Sequence, residues 1–287
     1  MKIAVCVKFT LDTKLPLEIL SGQLLAEGTA YGINPADLNA LEFALDIKEN
    51  SGAEVVVINL GSPSRDADLK QCLALGADRA VRIYDESIRD DDPYIKALVL
   101  AKAMELIGFD LILFGEKSRD TGNGMTGQMV AAMLNLPQII SVTNLSMDDG
   151  GKSITVSKRA PKGVRQKINC ELPAVVTVSE STNGRRRYAS WEKYLSSLEQ
   201  KITVWDASSL GLDTQEIIMS PTMNLGLSFP KPRTKELPVP DVNMPTYDRI
   251  LQLLSGGLSK RSGKVITGKP EEIIPQIIEI LNRECIQ

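Results

Sequence analysis

A glycine-rich loop in the first half of the chain carries the residue pattern with the clearest chemical meaning. It follows a short apolar run, Leu111 to Phe114, and contains Gly115, Gly122, Gly124 and Gly127. The run is typical of a buried parallel strand, and residues 129–134 beyond the loop favour a helix. A strand, a glycine loop and a helix in this order can surround a phosphate with main-chain N–H groups. A loop that only turns the chain would also need glycines, so both interpretations stay open at this point.

The loop matches neither of the two best-known phosphate-binding motifs. Gly122 and Gly124 lack the third glycine of the dinucleotide fingerprint, and no Gly-Lys-Ser or Gly-Lys-Thr occurs in the chain. The loop therefore predicts at most an anion site, without naming the ligand.

The absence of histidine from the sequence sets the firmest limit on catalysis. The chain contains no histidine at all. This excludes Ser-His-Asp and Cys-His catalytic arrangements, histidine-ligated metals and the commonest general base. Carboxylate or lysine chemistry remains open, but no pair of carboxylates flanks the loop. A hydrolase is therefore disfavoured.

The composition is that of a soluble globular protein. Hydrophobic residues make up 43% of the chain, charged residues 24%, and the formal charge is -3. A charge this small gives no reason to expect nucleic acid or an anionic membrane as a partner. No apolar run reaches the roughly 18 residues of a membrane span. The chain starts directly with a strand pattern, without a signal peptide, so a cytoplasmic location is expected.

The four cysteines predict no metal or cluster site. Cys6, Cys72, Cys170 and Cys285 lie far apart, and no C-x-x-C pair occurs. They are expected to be reduced, mostly buried thiols.

The surrounding elements predict an α/β fold. Apolar runs at residues 2–7, 53–60, 80–83 and 111–114 are typical of strands, and helical patterns separate them at 34–50, 67–74 and 93–107. This alternation predicts a doubly wound, mostly parallel sheet of the adenine-nucleotide-binding type. Residues 19–25 indicate a weak hairpin. The acidic run from Asp85 to Asp92 lacks the spacing of a calcium loop, so we interpret it as a solvated loop.

The ends of three predicted strands are expected to meet at one crevice. Ligands of doubly wound sheets bind outside the carboxyl ends of the strands. Here these ends are residues 6–8, residues 60–61 and the glycine loop. Asn34 and Pro35 are a strong helix start, with Asn34 as the N-cap and Asp37 in the first turn. This convergence favours the anion-site interpretation of the loop.

The second half of the chain has a different character. A turn at 149–151 precedes an antiparallel strand pattern at 153–157, and residues 172–178 indicate a last buried strand. Five basic side chains lie within residues 158–167. They predict either a solvated face or a surface for an acidic partner. A basic turn at 183–188 leads to an amphipathic helix at 190–198.

Two regions are predicted: a nucleotide-binding α/β domain over 1–205 and an extended C-terminal arm with a short helix over 206–287. Residues 220–245 contain six prolines, so this stretch cannot form a compact core of its own. Residues 270–281 form an amphipathic pattern whose apolar face needs a partner.

With these pieces assembled, the chain resembles the β subunit of electron-transferring flavoproteins over at least residues 1–205. No single match is decisive, but their order and spacing are specific. The matching segments are Val5 to Lys8 with Asp12, Asn34 with Pro35, Ala74 to Arg79, Gly115 with Asp120, Thr126 to Met129, Leu136 to Gln138, Leu172 to Thr177, and Arg187 with Tyr188.

The resemblance implies an electron carrier and not an enzyme. In this family a larger α subunit holds most of the redox-active FAD, and the β subunit buries an AMP of structural role. It also implies that residues 181–195 dock on acyl-CoA dehydrogenases. The cofactor-binding residues carried over by motif are Cys6, Asn34, Pro35, Ala36, Asp37, Leu60, Gly115, Asp120, Thr121, Gly122, Asn123, Gly124, Met125 and Thr126.

The sequence departs from the family pattern in two places. Residues 161–166 are basic or neutral where the family usually has acids, and Arg185 and Arg186 replace a proline that commonly precedes Arg-Tyr. These departures bear on the choice of partner.

Two alternatives accompany this interpretation. An electron-bifurcating branch of the family carries a second FAD in place of AMP, but Thr126 to Met129 resembles the AMP-binding members, so AMP is favoured. The alternative of another class is a stand-alone adenine-nucleotide-binding protein or hydrolase. Lys117 would then be its phosphate lysine, although a catalytic base is missing.

Overall fold

The computed structural model describes residues 1–12, 19–20, 23–24, 31–88, 92–148, 150–182, 187–222, 243–254, 268 and 270–284. The strands are β1 Lys2–Cys6, β2 Phe9–Leu11, β3 Ile19–Leu20, β4 Gln23–Leu24, β5 Tyr31–Ile33, β6 Glu54–Leu60, β7 Arg79–Ile83, β8 Leu111–Gly115, β9 Gln138–Met147, β10 Ser153–Arg159, β11 Arg165–Glu171, β12 Ala174–Val178 and β13 Thr203–Trp205. The helices are α1 Pro35–Ser51, α2 Asp66–Leu75, α3 Pro93–Ile107, α4 Thr126–Met133, α5 Trp191–Glu199, α6 Thr214–Ile218, α7 Thr246–Leu254 and α8 Pro270–Glu284. Short 3₁₀ turns lie at Pro63–Arg65 and Pro161–Gly163.

One nine-stranded sheet organises the described part of the chain. Its strand order is β11-β10-β9-β12-β8-β1-β6-β7-β13. In this order, every neighbouring pair from β9 to β13 is parallel. At the other end of the sheet, β10 pairs antiparallel with β9 and with β11. The predicted α/β class with a doubly wound, mostly parallel sheet is therefore confirmed.

The strands are apolar on both faces because helices cover both faces of the sheet. Alternate residues of β1 divide between two cores. Ile3 and Val5 pack in the core that contains α1 and α2, whereas Ala4 and Cys6 pack in the core that contains α3 and α4. This double burial explains the continuous apolar run of β6 in the sequence.

The central strands and early helices agree with the sequence patterns, and several later elements were missed. The weak hairpin is present as β3 paired with β4. The sequence did not predict β9, β11, β13 or α7, and it placed the start of α4 at residue 129, three residues late. The basic run at 158–167, for which a solvated face or a surface for an acidic partner was expected, includes the start of β11, an edge strand whose residues are mostly exposed.

Asp92, at the end of the acidic run, is not solvated. Asp92 is only 2% exposed, and its carboxylate accepts the N–H groups of Tyr94 and Ile95 as the N-cap of α3. It also accepts the hydroxyl of Thr222 at 2.7 Å. The interpretation of this run as a solvated loop is therefore wrong for Asp92, because a helix cap needs the carboxylate next to the main chain.

The chain divides into two compact units, Met1–Ser228 and Phe229–Gln287. Ala207, Leu210 and Ile217 are buried in the core of the first unit. The described residues of the second unit form α7 and α8. Most of the predicted proline-rich arm lies outside the described residues, as do Asp149, Arg185, Arg186 and Cys285. The division at residues 205 and 206 and the role of the arm stay predictions.

Val176→Ala, at the centre of the sheet, should lower the free energy of unfolding more than Val204→Ala, at its edge. Val176 in β12 is fully buried, whereas Val204 in β13 is 51% exposed. Losing the buried side chain should lower the free energy of unfolding by about 2 kcal/mol, and losing the exposed one by less than about 0.5 kcal/mol. Urea denaturation followed by circular dichroism measures both. Equal losses at the two positions would contradict the strand order.

Candidate functional site

A crevice lies at the carboxyl ends of β1, β6 and β8, where the sequence placed it. Its other walls are the first turns of α1 and α3, the loop after β8 and the start of α4. The lining residues are Cys6, Val7, Lys8, Asn34, Asp37, Ile58, Leu60, Pro93, Lys96, Leu100, Phe114, Gly115, Glu116, Lys117, Ser118, Thr121, Asn123, Gly124, Thr126 and Gly127.

The carboxylate of Asp37 joins two of the strand ends that form the crevice. It accepts the main-chain N–H of Lys8, just beyond β1, at 2.8 Å and that of Gly115, at the end of β8, at 2.9 Å. Burial raises the pKa of Asp37 to about 7, although these hydrogen bonds, the one from Asn34 and the Lys8 charge favour the ionised form. Asp37 thus fixes α1 against both strands.

The approach of Asp37 requires a glycine at position 115. A Cβ atom at Gly115 would lie 2.1 Å from the Asp37 Oδ1 atom and 2.8 Å from the Ala36 Cβ atom. Real carbon atoms do not approach so closely, and the first turn of α1 would have to move away. Gly115 therefore closes the strand and also makes room for the helix that holds it.

Asn34 fixes the loop that follows β8. Its Nδ2 group donates to the carbonyl of Lys117 at 3.0 Å, and its Oδ1 atom accepts the N–H of Arg119 at 3.2 Å. The sequence predicted Asn34 as a helix cap. Asn34 occupies the N-cap position, but its side chain makes no capping hydrogen bond. The predicted N-cap position is therefore confirmed, while the loop main chain takes both polar groups of the side chain.

Asp120 stabilises the loop and pairs with a lysine of the crevice. Its carboxylate accepts the N–H of Thr121 at 2.6 Å and forms an ion pair with Lys8 at 2.7 Å. Burial would raise the pKa of Asp120, but the hydrogen bonds from Lys8 and Ser118 and the Lys8 charge outweigh it and keep the pKa below its usual value. Asp120 does not line the crevice. It offsets part of the charge that Lys8 brings there.

The loop ends at the N-terminus of α4. Gly124 has a φ of +61°, and a Cβ atom there would lie 3.0 Å from the Glu116 carbonyl oxygen, so the turn before α4 favours glycine at this position. Met125 holds the N-cap position and makes no side-chain capping bond. The first N–H groups of α4, at Thr126 and Gly127, therefore begin the helix beside the crevice without a side-chain cap.

Part of the crevice lining is apolar. Ile58, Leu60, Leu100 and Phe114 form it together with Cys6. Burial, and then the nearby Asp37 charge, raise the pKa of the Cys6 thiol well above its usual value. The thiol is therefore neutral and serves as part of the apolar wall and not as a nucleophile.

The crevice suits binding better than catalysis. Its lining combines the first N–H groups of α4, several apolar side chains and the side chains of Lys8, Lys96 and Lys117. These features match an anionic group attached to a flat apolar one. Among the described residues, no group of three or more His, Cys, Asp or Glu could hold a metal ion. No described helix is long and apolar enough to cross a membrane.

The structure brings most of the predicted site residues together at this crevice. Those that line it are Cys6, Asn34, Asp37, Leu60, Gly115, Thr121, Asn123, Gly124 and Thr126. Those that do not line it are Pro35, Ala36, Asp120, Gly122 and Met125. Pro35 and Ala36 begin α1, and Gly122 turns the loop with a φ of +65°. The binding role of these residues stays a prediction.

The sequence analysis missed the wall formed by the first turn of α3. Pro93 and Lys96 belong to it, and Leu100 follows one turn later. The signal was available, since α3 connects β7 to β8 and a right-handed crossover places it beside the end of β8. Lys8, Glu116, Lys117 and Ser118 were also left out of the predicted set, although they adjoin residues within it.

The comparisons with known proteins place this crevice in a family. The electron transfer flavoprotein domain matches residues 22–209, about two thirds of the chain. The chain belongs to the electron-transferring flavoprotein family. The match covers β6, β7, β8 and the glycine loop, so the family domain contains most of the crevice.

Individual relatives extend this electron-transferring flavoprotein match over the whole chain. Protein FixA of Azotobacter vinelandii is 32% identical over 244 residues, covering 82% of this chain and 86% of the relative. CarD, a subunit of the caffeyl-CoA reductase–Etf complex of Acetobacterium woodii, is 32% identical over 218 residues, covering 75% and 82%. The electron transfer flavoprotein subunit beta of Bacillus subtilis is 27% identical over 286 residues, 99% of each chain. The resemblance to the β subunit is confirmed.

Gly115→Ala should strongly destabilise this electron-transferring flavoprotein chain. The added methyl group overlaps the Asp37 carboxylate, so the contact between α1 and two strands must open, at about 3 kcal/mol or more. Gly32→Ala is the matched control, because a Cβ atom there meets nothing within 4 Å. Chemical denaturation of both variants measures the effect. A Gly115→Ala variant as stable as the control would contradict the close approach.

Asp37→Asn should remove a pH dependence of stability. Because the pKa is raised to about 7 in the folded state from 3.8, the folded chain keeps a proton that the unfolded chain has already released in this range. The free energy of unfolding should therefore fall as the pH rises between these values, by at most about 1.4 kcal/mol per pH unit. The amide side chain of the variant does not titrate, so this slope should be lost.

Urea denaturation of both proteins at about pH 5, 6 and 7 measures the slope that linkage requires. A wild-type stability that does not change over this range, or a slope that persists in Asp37→Asn, would contradict the assignment.

Proposed function

We propose that the chain is the β subunit of a heterodimeric electron-transferring flavoprotein and that it binds AMP in the crevice. Such a carrier passes electrons from dehydrogenases of the acyl-CoA dehydrogenase type to a downstream acceptor through an FAD held mainly by the α subunit. The observation that carries the nucleotide proposal is the start of α4, which has no side-chain cap and lines the crevice together with apolar side chains.

The crevice residues fit a nucleoside monophosphate. The N–H groups at Thr126 and Gly127, together with the Thr126 hydroxyl, would bind the phosphate as donors. The apolar wall around Leu60 and Phe114 would pack against the base. Asp120 would keep the loop in shape, because its carboxylate accepts an N–H of its own loop and the ammonium group of Lys8.

The second candidate is an electron-bifurcating member with a second FAD in place of AMP. The observation in its favour is the 32% identity to CarD, a subunit of a caffeyl-CoA reductase–Etf complex. The AMP proposal is still supported by the segment from Thr126 to Met129, because this segment resembles that of the AMP-binding members. No observation favours the stand-alone nucleotide-binding protein or hydrolase, since the chain belongs to a family of electron-transfer subunits.

The α subunit is proposed to cover the second unit of the chain. On α7 the exposed large apolar side chains are Tyr247, Ile250, Leu251, Leu253 and Leu254. On α8 they are Ile274, Ile277 and Ile278. Two short helices with so many exposed apolar residues are typical of an interface with a permanent partner.

The donor dehydrogenase is proposed to dock at residues 181–195. In this segment Tyr188 is 94% exposed, Trp191 72% and Leu195 46%. Trp191 stacks on Tyr194 with their ring centroids 5.6 Å apart. Aromatic residues of this kind are enriched at protein interfaces.

The function is tested by producing the chain together with an α subunit. The complex should be yellow, its flavin should be reduced by an acyl-CoA dehydrogenase and its substrate, and denaturing extraction should release FAD and AMP in equal amounts. Release of FAD alone, at two per heterodimer, would replace the AMP proposal by the second candidate. A colourless chain that no α subunit binds would contradict the electron-carrier proposal itself.

Thr126→Val should weaken AMP binding by about ten- to a hundredfold. The variant keeps the shape of the side chain and removes one hydrogen bond to a charged group, which contributes roughly 1.5–3 kcal/mol. Thr203→Val, in the edge strand β13, controls for any general effect of replacing a threonine by valine away from the crevice. AMP is quantified by chromatography after denaturation and by titration. Unchanged AMP affinity in Thr126→Val would show that the phosphate does not bind at α4.

A further inference from the structure

The segment that joins β12 to α5 is held at its start by α1. The Nδ2 group of Asn39, a buried side chain of α1, donates to the carbonyls of Ser179 at 3.1 Å and Glu180 at 3.0 Å. Two main-chain carbonyls are thereby fixed on the same helix that fixes the crevice through Asp37.

The same segment is held at its other end by Arg187. The guanidinium group of Arg187 binds Glu42 at 2.7 Å, Asp46 at 2.5 Å and Glu49 at 2.6 Å, all on α1. Its main-chain N–H also donates to Glu42 at 2.7 Å. The sequence placed Arg187 in a basic turn for docking, but this side chain is bound internally by three carboxylates.

The crevice loop contacts this segment directly. The guanidinium group of Arg119 forms an ion pair with Glu180, and the N–H of Glu116 donates to the carbonyl of Val178 at 2.8 Å. The main-chain N–H of Arg119 is in turn bound by Asn34. Arg119 therefore lies between the residues that line the crevice and the start of the segment that carries Tyr188.

The far end of α5 rests on another helix. The ammonium group of Lys70, in α2, donates to the carbonyl of Leu198. This contact fixes the last turn of α5 on α2 and does not involve the crevice residues.

We propose that nucleotide binding in the crevice strengthens docking of the donor dehydrogenase, with the Arg119–Glu180 ion pair as the link. This inference rests on the proposed function and adds a regulatory role to a nucleotide that takes no part in electron transfer. A phosphate bound by the loop restricts the loop, the loop holds Arg119, and Arg119 holds Glu180 at the start of the docking segment. Each step lowers the conformational freedom that docking must otherwise remove.

The expected coupling is modest because the side chains of Arg119 and Glu180 are 31% and 40% exposed. An ion pair of this kind changes an equilibrium by about two- to fivefold. By reciprocity, a bound dehydrogenase should tighten AMP binding by the same factor.

The test uses the complex with the α subunit and an acyl-CoA dehydrogenase as the donor. The AMP content of the complex is lowered by the Thr126→Val substitution, or in the unaltered protein by dialysis against a chaotropic salt. It is then restored by titration with AMP. The KM for the electron-transferring flavoprotein is measured at each AMP concentration, with Glu180 intact and as Glu180→Gln. Glu171→Gln, an exposed acid at the end of β11, is the control.

With Glu180 intact, KM should fall about two- to fivefold as AMP fills the crevice, while kcat stays constant. In Glu180→Gln, KM should be high and independent of AMP. Arg119→Gln should behave in the same way, and the double variant should lose no more than either single one, because each removes the same pair.

Two results would overturn the coupling. They are a KM that does not depend on AMP with Glu180 intact, and an AMP dependence that Glu180→Gln retains in full. Failure of the AMP proposal itself has a different sign, which is that the denatured wild-type complex releases no AMP. That result would overturn both the AMP proposal and the coupling.

Discussion

The Asp37 carboxylate, shared between the ends of two parallel strands, is the interaction on which the rest of the structure depends. The N–H of Lys8, just beyond β1, and the N–H of Gly115, the last residue of β8, both need an acceptor. Asp37 supplies one acceptor atom to each from the first turn of α1. The same contact buries a carboxyl group and allows only glycine at position 115. The crevice exists because the helix is held this close to the strand ends.

Helix α1 consequently organises two regions that are far apart in sequence. Its first turn fixes the strand ends and, through Asn34, the loop after β8. Its later turns bind Ser179 and Glu180 through Asn39, and Arg187 through Glu42, Asp46 and Glu49. Because one helix makes both sets of contacts, it positions both the crevice and the segment that leads to the aromatic side chains of α5.

The sequence predicted those parts of the site that depend on local pattern. Apolar runs locate β1, β6 and β8, and the carboxyl ends of parallel strands must meet at one edge, so the crevice could be placed from these runs alone. The acceptor role of Asp37 and the loop contacts of Asn34 could not be predicted, since their partners lie tens of residues away. A local pattern shows an acid and an asparagine at a helix start, and it cannot show that tertiary contacts outcompete the cap. The polar strand β11 was missed because it has one solvent-facing edge and no continuous apolar run.

The two borders of the nine-stranded sheet explain why the run at 158–167 is basic. A border strand leaves main-chain groups unpaired, and another chain can add to them as a further strand. β13 limits this at one border by being only three residues long. At the other border β11 is seven residues long, and it carries the exposed side chains of Arg165 and Lys167. Arg165 even pairs across the ladder with Arg159, a repulsion that slightly weakens the hairpin. The same positive charge repels an identical strand from a second molecule, so this border protects the protein against self-association into extended sheets.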